Sequence, residues 1–307
     1  ADEPYNPVAA PEAVVAVGSA RFTILTPVLI RMEWSPEGQF EDRASQAFIN
    51  RNLPVPKFDV SKDGAETTIR TAELSLHYQS DSGRFSADNL RIEFDLNERL
   101  VTWTPGTTDA GNLRGTWRTL DGVSGASSLE PGLMSRDGWT LVDDSTRLVF
   151  ENGYPSWITP RENQDAIDWY FFGYGHDYKR LLRDYIKVAG RIPLPPRFVF
   201  GAWWSRYWAY SDQELKDLVG QFREHDVPLD VLVIDMDWHL DGWTGYTWNP
   251  KYFPEAEGFL KWVHQQGLRA TLNLHPADGV GKHEKVFPEV CKAMGLDPEK
   301  TERVPFD

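Results

Sequence analysis

Val231-Leu-Val-Ile-Asp235 is a continuous apolar run that ends in an acid. A run of this kind predicts a strand buried on both faces, as strands of parallel sheets are. The segments 198–204 and 268–274 predict two further strands. After each of the three strands, apolar residues recur at the spacing of a helix face, at 215–222, 257–266 and 282–293. Strands and helices that alternate in this way predict βαβ units and a parallel sheet.

The chain upstream of residue 176 has a different character. Short stretches rich in β-branched and aromatic residues recur between clusters of Gly, Asp, Asn and Ser, at 20–34, 67–71, 73–79, 90–95, 100–103 and 166–172. The segments 139–143 and 147–150 predict a further hairpin. Many short strands separated by turn residues predict a β-sandwich or a barrel. A helical pattern at 177–189 and the stiff segment Ile192-Pro-Leu-Pro-Pro196 then mark a domain boundary.

Composition excludes several classes of protein. Lys plus Arg number 32 and Asp plus Glu 46, so the formal net charge is −14, which argues against binding nucleic acid or an anionic membrane surface. No apolar run is long enough to span a membrane. The single cysteine, Cys291, excludes an intrachain disulfide framework and is expected to be a buried hydrophobe. No signal peptide is expected in these residues, and both a cytoplasmic and a secreted location remain open.

Polar and aromatic side chains follow each of the three predicted parallel strands, at 203–208, 235–243 and 273–278. Because the carboxyl ends of parallel strands meet at one edge of the sheet, we expect these segments to form one rim. Seven of the 13 tryptophans lie between Trp203 and Trp262. Indole faces stack on sugar rings and carboxylates accept hydrogen bonds from neighbouring hydroxyls, so the rim suits a carbohydrate. The alternative is that the tryptophans fill the core.

Asp235 is the leading candidate of this rim, because an unpaired carboxylate at the end of a buried strand is costly. It is either hydrogen-bonded structurally or faces a ligand. Asp237 shares its face only if strand geometry persists beyond it. The set Asp235, Asp237, His239 and His275 resembles a mixed metal-ligand set only weakly. No phosphate-binding glycine loop is present, and no metal or other cofactor is expected.

Six segments in chain order resemble glycoside hydrolase family 31, namely 132–144, 172–178, 202–214, 222–238, 247–254 and 267–276. The resemblance implies an N-terminal β-sandwich at residues 1–190, followed at 191–307 by the first three βα units of a (β/α)8 TIM barrel. It also implies a retaining α-glycosidase acting on α-linked oligosaccharides or glycosides. The open alternatives are an α-transglycosylase, a non-catalytic carbohydrate-binding protein and a metal-dependent barrel hydrolase.

The resemblance also assigns site residues. Asp235 falls on the family's sugar-gripping acid with Met236 beside it, Tyr207 follows the first barrel strand, and His275 lies in the pocket wall. Trp204, Asp237 and Trp238 complete the set of expected substrate-binding residues.

No catalytic residue is expected within the 307 residues. The family's nucleophile is an Asp at the end of the fourth barrel strand, and its acid/base follows later. The chain is therefore expected to be inactive alone and to require the remainder of the same enzyme as its partner.

Overall fold

The computed structural model describes residues 5–115, 122–153, 155–240, 242 and 245–306. The chain divides into two units, one up to Ile192 and one from Pro193 onward. In chain order, the described elements of the first unit are a 3-10 turn at Pro11–Ala13, strands β1 Val14–Val17, β2 Ala20–Thr26, β3 Leu29–Trp34, β4 Phe58–Asp63, β5 Glu66–Thr71, β6 Leu74–Gln79, β7 Leu90–Leu96, β8 Arg99–Trp103, β9 Thr140–Asp143, β10 Val149–Phe150, β11 Ile158–Thr159 and β12 Ile167–Phe172, and helix α1 Tyr178–Ala189.

Two five-stranded antiparallel sheets form the first unit. One has the order β1-β2-β3-β12-β9, and the other is the meander β4-β5-β6-β7-β8. Their apolar faces share a single core, in which Phe171 of β12 packs edge-on against Phe94 of β7 at 6.1 Å between ring centroids. Trp103 of β8 lies 5.1 Å from the same ring. The sheet-rich N-terminal region is thus a pair of layers around one core. Strands with one apolar face bury that face by packing their sheet against a second sheet.

The predicted hairpin between 139–143 and 147–150 is wrong. β9 pairs instead with β12, and β10 pairs with β11. The reason lies in the turn after β9, where the backbone N–H of Asp144 donates to the carbonyl of Asp168 at 2.8 Å. The side chain of Asp144 then accepts from Arg161 Nη2 at 2.6 Å. These long-range bonds draw the chain away from β9 before it can turn back on itself.

The second unit contains the predicted parallel sheet. Its described elements are a 3-10 turn at Arg197–Phe200, β13 Trp203–Trp204, α2 Asp212–Glu224, β14 Val231–Ile234, α3 Ala256–Gln265, β15 Arg269–Leu272, a 3-10 turn at Pro276–Asp278, β16 Val280–Gly281, α4 Phe287–Ala293 and β17 Arg303–Val304. The sheet has the order β13-β14-β15, with all strands parallel. The capping box of α2 is confirmed, since Ser211 Oγ accepts from Glu214 N at 3.2 Å and Ser211 N donates to Glu214 Oε2 at 2.8 Å.

The two faces of this sheet differ. Residues paired across parallel strands point to the same face, and Trp204, Leu232 and Ala270 all belong to the cluster formed with α2 and α3. Trp203 therefore points to the opposite face, and it is 49 % exposed. The helices cover one side of the sheet, and the other side carries Trp203.

Two predicted elements of the second unit begin several residues later than expected. The predicted strand 198–204 is a 3-10 turn followed by the two-residue β13, because Asp230 Oδ2 binds Ala202 N at 2.9 Å and allows pairing only from that point. The predicted helix 282–293 begins only at Phe287, because Glu284 is buried and bound to another loop. Helix α4 packs against β16 and β17, where Cys291 is buried as predicted.

Candidate functional site

Asp235 lies at the carboxyl end of β14, on the face of the sheet opposite the helices. The backbone hydrogen bonds between β14 and β15 continue one residue beyond the two strands, where Asn273 N donates to Ile234 O at 3.0 Å. Asn273 is thereby level with Asp235, and its side-chain Nδ2 donates to Asp235 Oδ1. Asp235 is 9 % exposed, and no described residue donates to its second oxygen. The structure thus joins a buried carboxylate to an amide that sequence reasoning did not select.

Asp237 and Met236 do not continue the strand. β14 ends at Ile234, and Asp237 has a left-handed φ of 53°. This reversal ends the alternation that would have given Asp237 the same face as Asp235. Asp237 is exposed and Met236 is half-buried. The two acids therefore have different surroundings, and the condition stated for a shared face is not met.

Trp204 and Trp238 belong to the core on the helix side of the sheet. Trp204 packs edge-on against Phe222 of α2 at 5.4 Å, and Trp238 packs edge-on against Trp248 at 5.2 Å. For these two residues the structure agrees with the alternative in which tryptophans fill the core.

Trp238 nevertheless acts on the site through a backbone contact. Its Nε1 donates to the carbonyl of Asn273 at 2.8 Å. Trp238 therefore holds the peptide of the residue whose side chain holds Asp235. The order of contacts runs from the core, through Asn273, to the carboxylate at the rim.

The loop after β13 presents aromatic rings to solvent. Tyr207 is 71 % exposed and Trp208 is half-exposed. The guanidinium of Arg206 lies 4.7 Å above the ring of Trp208 and also donates to Tyr210 Oη at 3.4 Å. A cation over an indole face restrains both side chains. The loop is thus an ordered, exposed aromatic surface.

Two histidines of the rim have different settings. His275 is half-buried and immediately precedes the 3-10 turn after β15. His239 is buried, and its Nδ1 donates to Leu240 O at 2.8 Å. Asp241 and Trp243, which belong to the same predicted rim, lie outside the described residues.

Within the described residues, no group of three or more His, Cys, Asp and Glu side chains is arranged to hold a metal ion. In the same part of the chain, no helix has the length and apolarity needed to cross a membrane.

Comparisons with known proteins concern the second unit first. Residues 192–300 match the family model described as the TIM-barrel domain of glycosyl hydrolases family 31. The matched residues contain the parallel sheet β13-β14-β15, and the sheet-rich first unit precedes them. The resemblance of this chain to glycoside hydrolase family 31 is confirmed.

Individual relatives agree with the family. The α-xylosidase XylQ of Lactiplantibacillus pentosus is 28 % identical over 230 residues, which are 70 % of this chain and 28 % of XylQ. An α-xylosidase of Saccharolobus solfataricus is 28 % identical over 220 residues, covering 67 % of this chain and 29 % of that enzyme. The chain thus spans less than a third of either relative.

A solved structure supports the fold. The family 31 dextranase of Flavobacterium johnsoniae, complexed with glucose, superposes with a TM-score of 0.60. The match covers 96 % of this chain and 41 % of the dextranase, at 16 % sequence identity.

Proposed function

We propose that this chain supplies part of the sugar-binding pocket of a retaining α-glycosidase, with Asp235 as the acid that grips the sugar. The observation that carries the proposal is the setting of Asp235. It is buried at the carboxyl end of β14, and Asn273 binds one of its oxygens. It lies on the face opposite the helices, which in a (β/α)8 barrel is the interior, and barrel active sites occupy that end of the strands.

The proposed barrel begins with the three strands described here. β13, α2, β14, α3 and β15 form its first units, and the β16–α4–β17 segment follows the third strand. Residues 1–190 are proposed as the N-terminal β-sandwich domain and 191–307 as the first part of the catalytic barrel.

The catalytic pair is proposed to come from sequence outside these 307 residues. Retaining hydrolysis needs a nucleophile and an acid/base whose carboxyl groups lie about 5–5.5 Å apart. Asp235 and Asp237 do not share the face that such a pair requires. The two α-xylosidases extend far beyond the matched region, with only 28 % and 29 % of their lengths covered. The chain alone is therefore expected to bind weakly and to hydrolyse nothing.

The remaining candidates are proposed to shape the pocket around Asp235. Tyr207 offers an exposed ring, and His275 and Met236 are half-buried beside the strand ends. Asp237 is proposed as an exposed hydrogen-bonding group at the rim. Trp204 and Trp238 are proposed to act from the core, by holding the strand ends in place.

The substrate is proposed to be an α-linked oligosaccharide or glycoside. Relatives named as α-xylosidases and α-glucosidases favour α-xylosides and α-glucosides as the first to be assayed.

The Asp235→Asn variant of the full-length protein tests the proposal. A carboxylate that accepts two hydrogen bonds from a sugar contributes about 3–6 kcal/mol, so kcat/KM for aryl α-glucoside or α-xyloside should fall by roughly 10²–10⁴-fold. The matched control is Asp226→Asn, an exposed acid with a left-handed φ of 55° that asparagine also adopts. A change of less than about three-fold in Asp235→Asn, with the fold intact by circular dichroism, would remove Asp235 from the site.

A further inference from the structure

An open cleft lies on the α1 side of the sheet β1-β2-β3-β12-β9 of the N-terminal unit. It has a volume of about 920 Å³ and is bounded by β9, by α1 and by the segments 46–48 and 130–133. Pockets that bind small molecules typically measure about 300–1,000 Å³. We call it the β9 cleft.

Strand pairing determines which side chains face the β9 cleft. Tyr170 and Phe172 of β12 point toward α1, since Phe172 packs against Tyr185 at 6.3 Å and Tyr170 stacks on Phe48 at 3.6 Å. Thr140 of β9 pairs with Phe172, and its neighbour two residues on pairs with Tyr170. Because paired residues share a face, Thr140 and Val142 form the floor of the cleft.

Thr140 is the unusual residue of this floor. It is only 5 % exposed, and its hydroxyl oxygen has no hydrogen-bond partner among the described residues. A buried hydroxyl without a partner is unfavourable, and nearly all such groups in folded proteins are paired. The oxygen itself is closed to solvent in this structure, so a ligand hydroxyl can pair with it once the Thr140 side chain rotates toward the cleft, and that pairing would remove the cost of leaving the hydroxyl unsatisfied.

The wall above Thr140 is aromatic and apolar. The ring of Tyr185 is half-buried and is fixed by edge-on contact with Phe48 at 6.4 Å. Leu182, one turn earlier on α1, is 45 % exposed at the mouth of the cleft. An amphipathic ring beside an aliphatic side chain offers a flat surface for the C–H face of a sugar.

The rim of the β9 cleft is polar but nearly balanced in charge. It carries the amide of Gln46, the carboxylates of Glu130 and Asp143, and the guanidinium of Arg147. Arg147 is already drawn toward Asp144, at 3.5 Å, so the rim attracts no strong anion. Asp143 Oδ1 accepts from Ser145 at 2.6 Å, which fixes the carboxylate in place. Groups of this kind suit a neutral ligand rich in hydroxyls.

We propose that the β9 cleft binds a neutral oligosaccharide, with a sugar ring against Tyr185 and a hydroxyl paired with Thr140 Oγ1. The inference rests on groups of the N-terminal unit alone and stands independently of the function proposed for Asp235.

Hydrogen exchange of the full-length protein tests the inference. Maltotriose, isomaltotriose and xylotriose are added in turn, and protection is followed in peptides that cover β9 and α1. Thr140→Val removes the hydroxyl while keeping the shape, and it should weaken trisaccharide binding by about three- to ten-fold. Tyr185→Ala should weaken it further. Thr102→Val, an exposed threonine of β8, is the matched control and should bind as the wild type does.

Each outcome of this experiment either supports or overturns the inference. Protection at β9 and α1 that Thr140→Val and Tyr185→Ala reduce, while Thr102→Val retains it, supports the inference. Absence of protection with all three trisaccharides overturns it. Protection that is unchanged in Thr140→Val also overturns it, because the sugar would then lie elsewhere. The result is independent of Asp235, since Asp235→Asn should lose hydrolysis and keep the protection of β9.

Discussion

The two units of this chain enclose their apolar surfaces in different ways. The first closes a core between two antiparallel sheets whose strands are mostly neighbours in sequence. The second packs one face of three parallel strands against α2 and α3, while the other face carries the half-exposed Trp203. Antiparallel strands complete a sheet through local hairpins, whereas each parallel strand needs a crossover helix and a further strand. Most strands of the first unit therefore pair with the next strand along the chain, whereas a helix separates each pair of neighbouring strands in the sheet of the second unit.

The difference extends to charged groups. The first unit buries an ionic cluster in which Arg31 donates to both oxygens of Asp168 at 2.7 Å, and Arg161 joins Asp168 to Asp144. In the second unit, the buried acid Asp235 is bound by an amide rather than by an ion pair. Both oxygens of Asp168 are bound by arginine, whereas Asp235 keeps one oxygen to which no described residue donates.

Removing Arg31 should give the largest loss of stability. Arg31→Met leaves Asp168 with Arg161 as its one arginine partner and Glu33 with Arg21. The buried cluster thus loses one of its cations, which should cost about 3–5 kcal/mol of unfolding free energy. Urea unfolding, followed by hydrogen exchange in β3 and β12, measures this cost. Arg91→Met is the control, because the pair of Arg91 with Glu66 at 3.0 Å is more than a third exposed and is worth less than about 1 kcal/mol. Equal effects in the two variants would show that the buried cluster is not special.

The same cluster should make the first unit less stable as the pH rises from 4 to 7. Burial, together with the charge of Asp168, raises the pKa of Asp144 to about 6. The folded chain thus keeps a proton that the unfolded chain releases near pH 4, so stability falls as the pH rises through 6, by up to about 3 kcal/mol.

Asp168 acts in the opposite sense. Burial alone would raise its pKa, but Arg31 and Arg161 outweigh burial and hold the pKa well below its usual range. Its contribution is present above about pH 4 and is lost in stronger acid. Melting temperatures measured from pH 4 to 7 test the opposite contributions of Asp144 and Asp168. Asp144→Asn should make the melting temperature depend less on pH. An unchanged slope in Asp144→Asn would assign the pH dependence to other groups.

Glu284 should have an intermediate effect, confined to the second unit. Its buried carboxylate accepts from Tyr246 N at 3.1 Å and lies 3.1 Å from His283 Nε2. Glu284→Ala leaves the Tyr246 amide unpaired and should cost about 1–2 kcal/mol. Hydrogen exchange of the backbone amides at 245–248 should be faster in Glu284→Ala than in the wild type. Glu289→Ala, at an exposed position of α4, should leave that exchange unchanged.

Trp203 should have the smallest effect on the stability of the 307-residue chain. Its side chain is 49 % exposed on the face without helices, so Trp203→Ser should change the unfolding free energy by no more than about 0.5 kcal/mol. Chemical denaturation measures the change. A loss above about 1.5 kcal/mol would mean that this face is packed, and the contrast between the two units would then disappear.

Local patterns predicted the elements whose contacts are local. Strands β5, β6 and β7 alternate between buried and less buried residues, and β5 to β8 lie within a residue or so of their predicted positions. Helix α1 begins where Asp177 accepts from Arg180 N at 3.0 Å, at the start of the predicted pattern. Caps and alternation depend on neighbours a few residues away, and so the sequence displays them directly.

Partners distant in sequence were not predictable in the same way. β9 has the composition of a hairpin strand, yet it pairs with β12 because Asp144 is bound by Asp168 and Arg161. The segment 282–286 has helical spacing, yet it forms turns because Glu284 reaches the loop at Tyr246. In both cases a buried charge with a remote partner overrides the local preference.

The candidate site divides along the same line. An acid at the end of a buried strand could be predicted at Asp235, because an apolar run followed by a carboxylate is visible in five consecutive residues. The bond from Asn273, the turn of Asp237 away from the strand, and the packing of Trp204 and Trp238 in the core became visible in the folded chain. Strand alternation is set within one segment, whereas the face a side chain occupies and the atom it binds depend on which strands become neighbours.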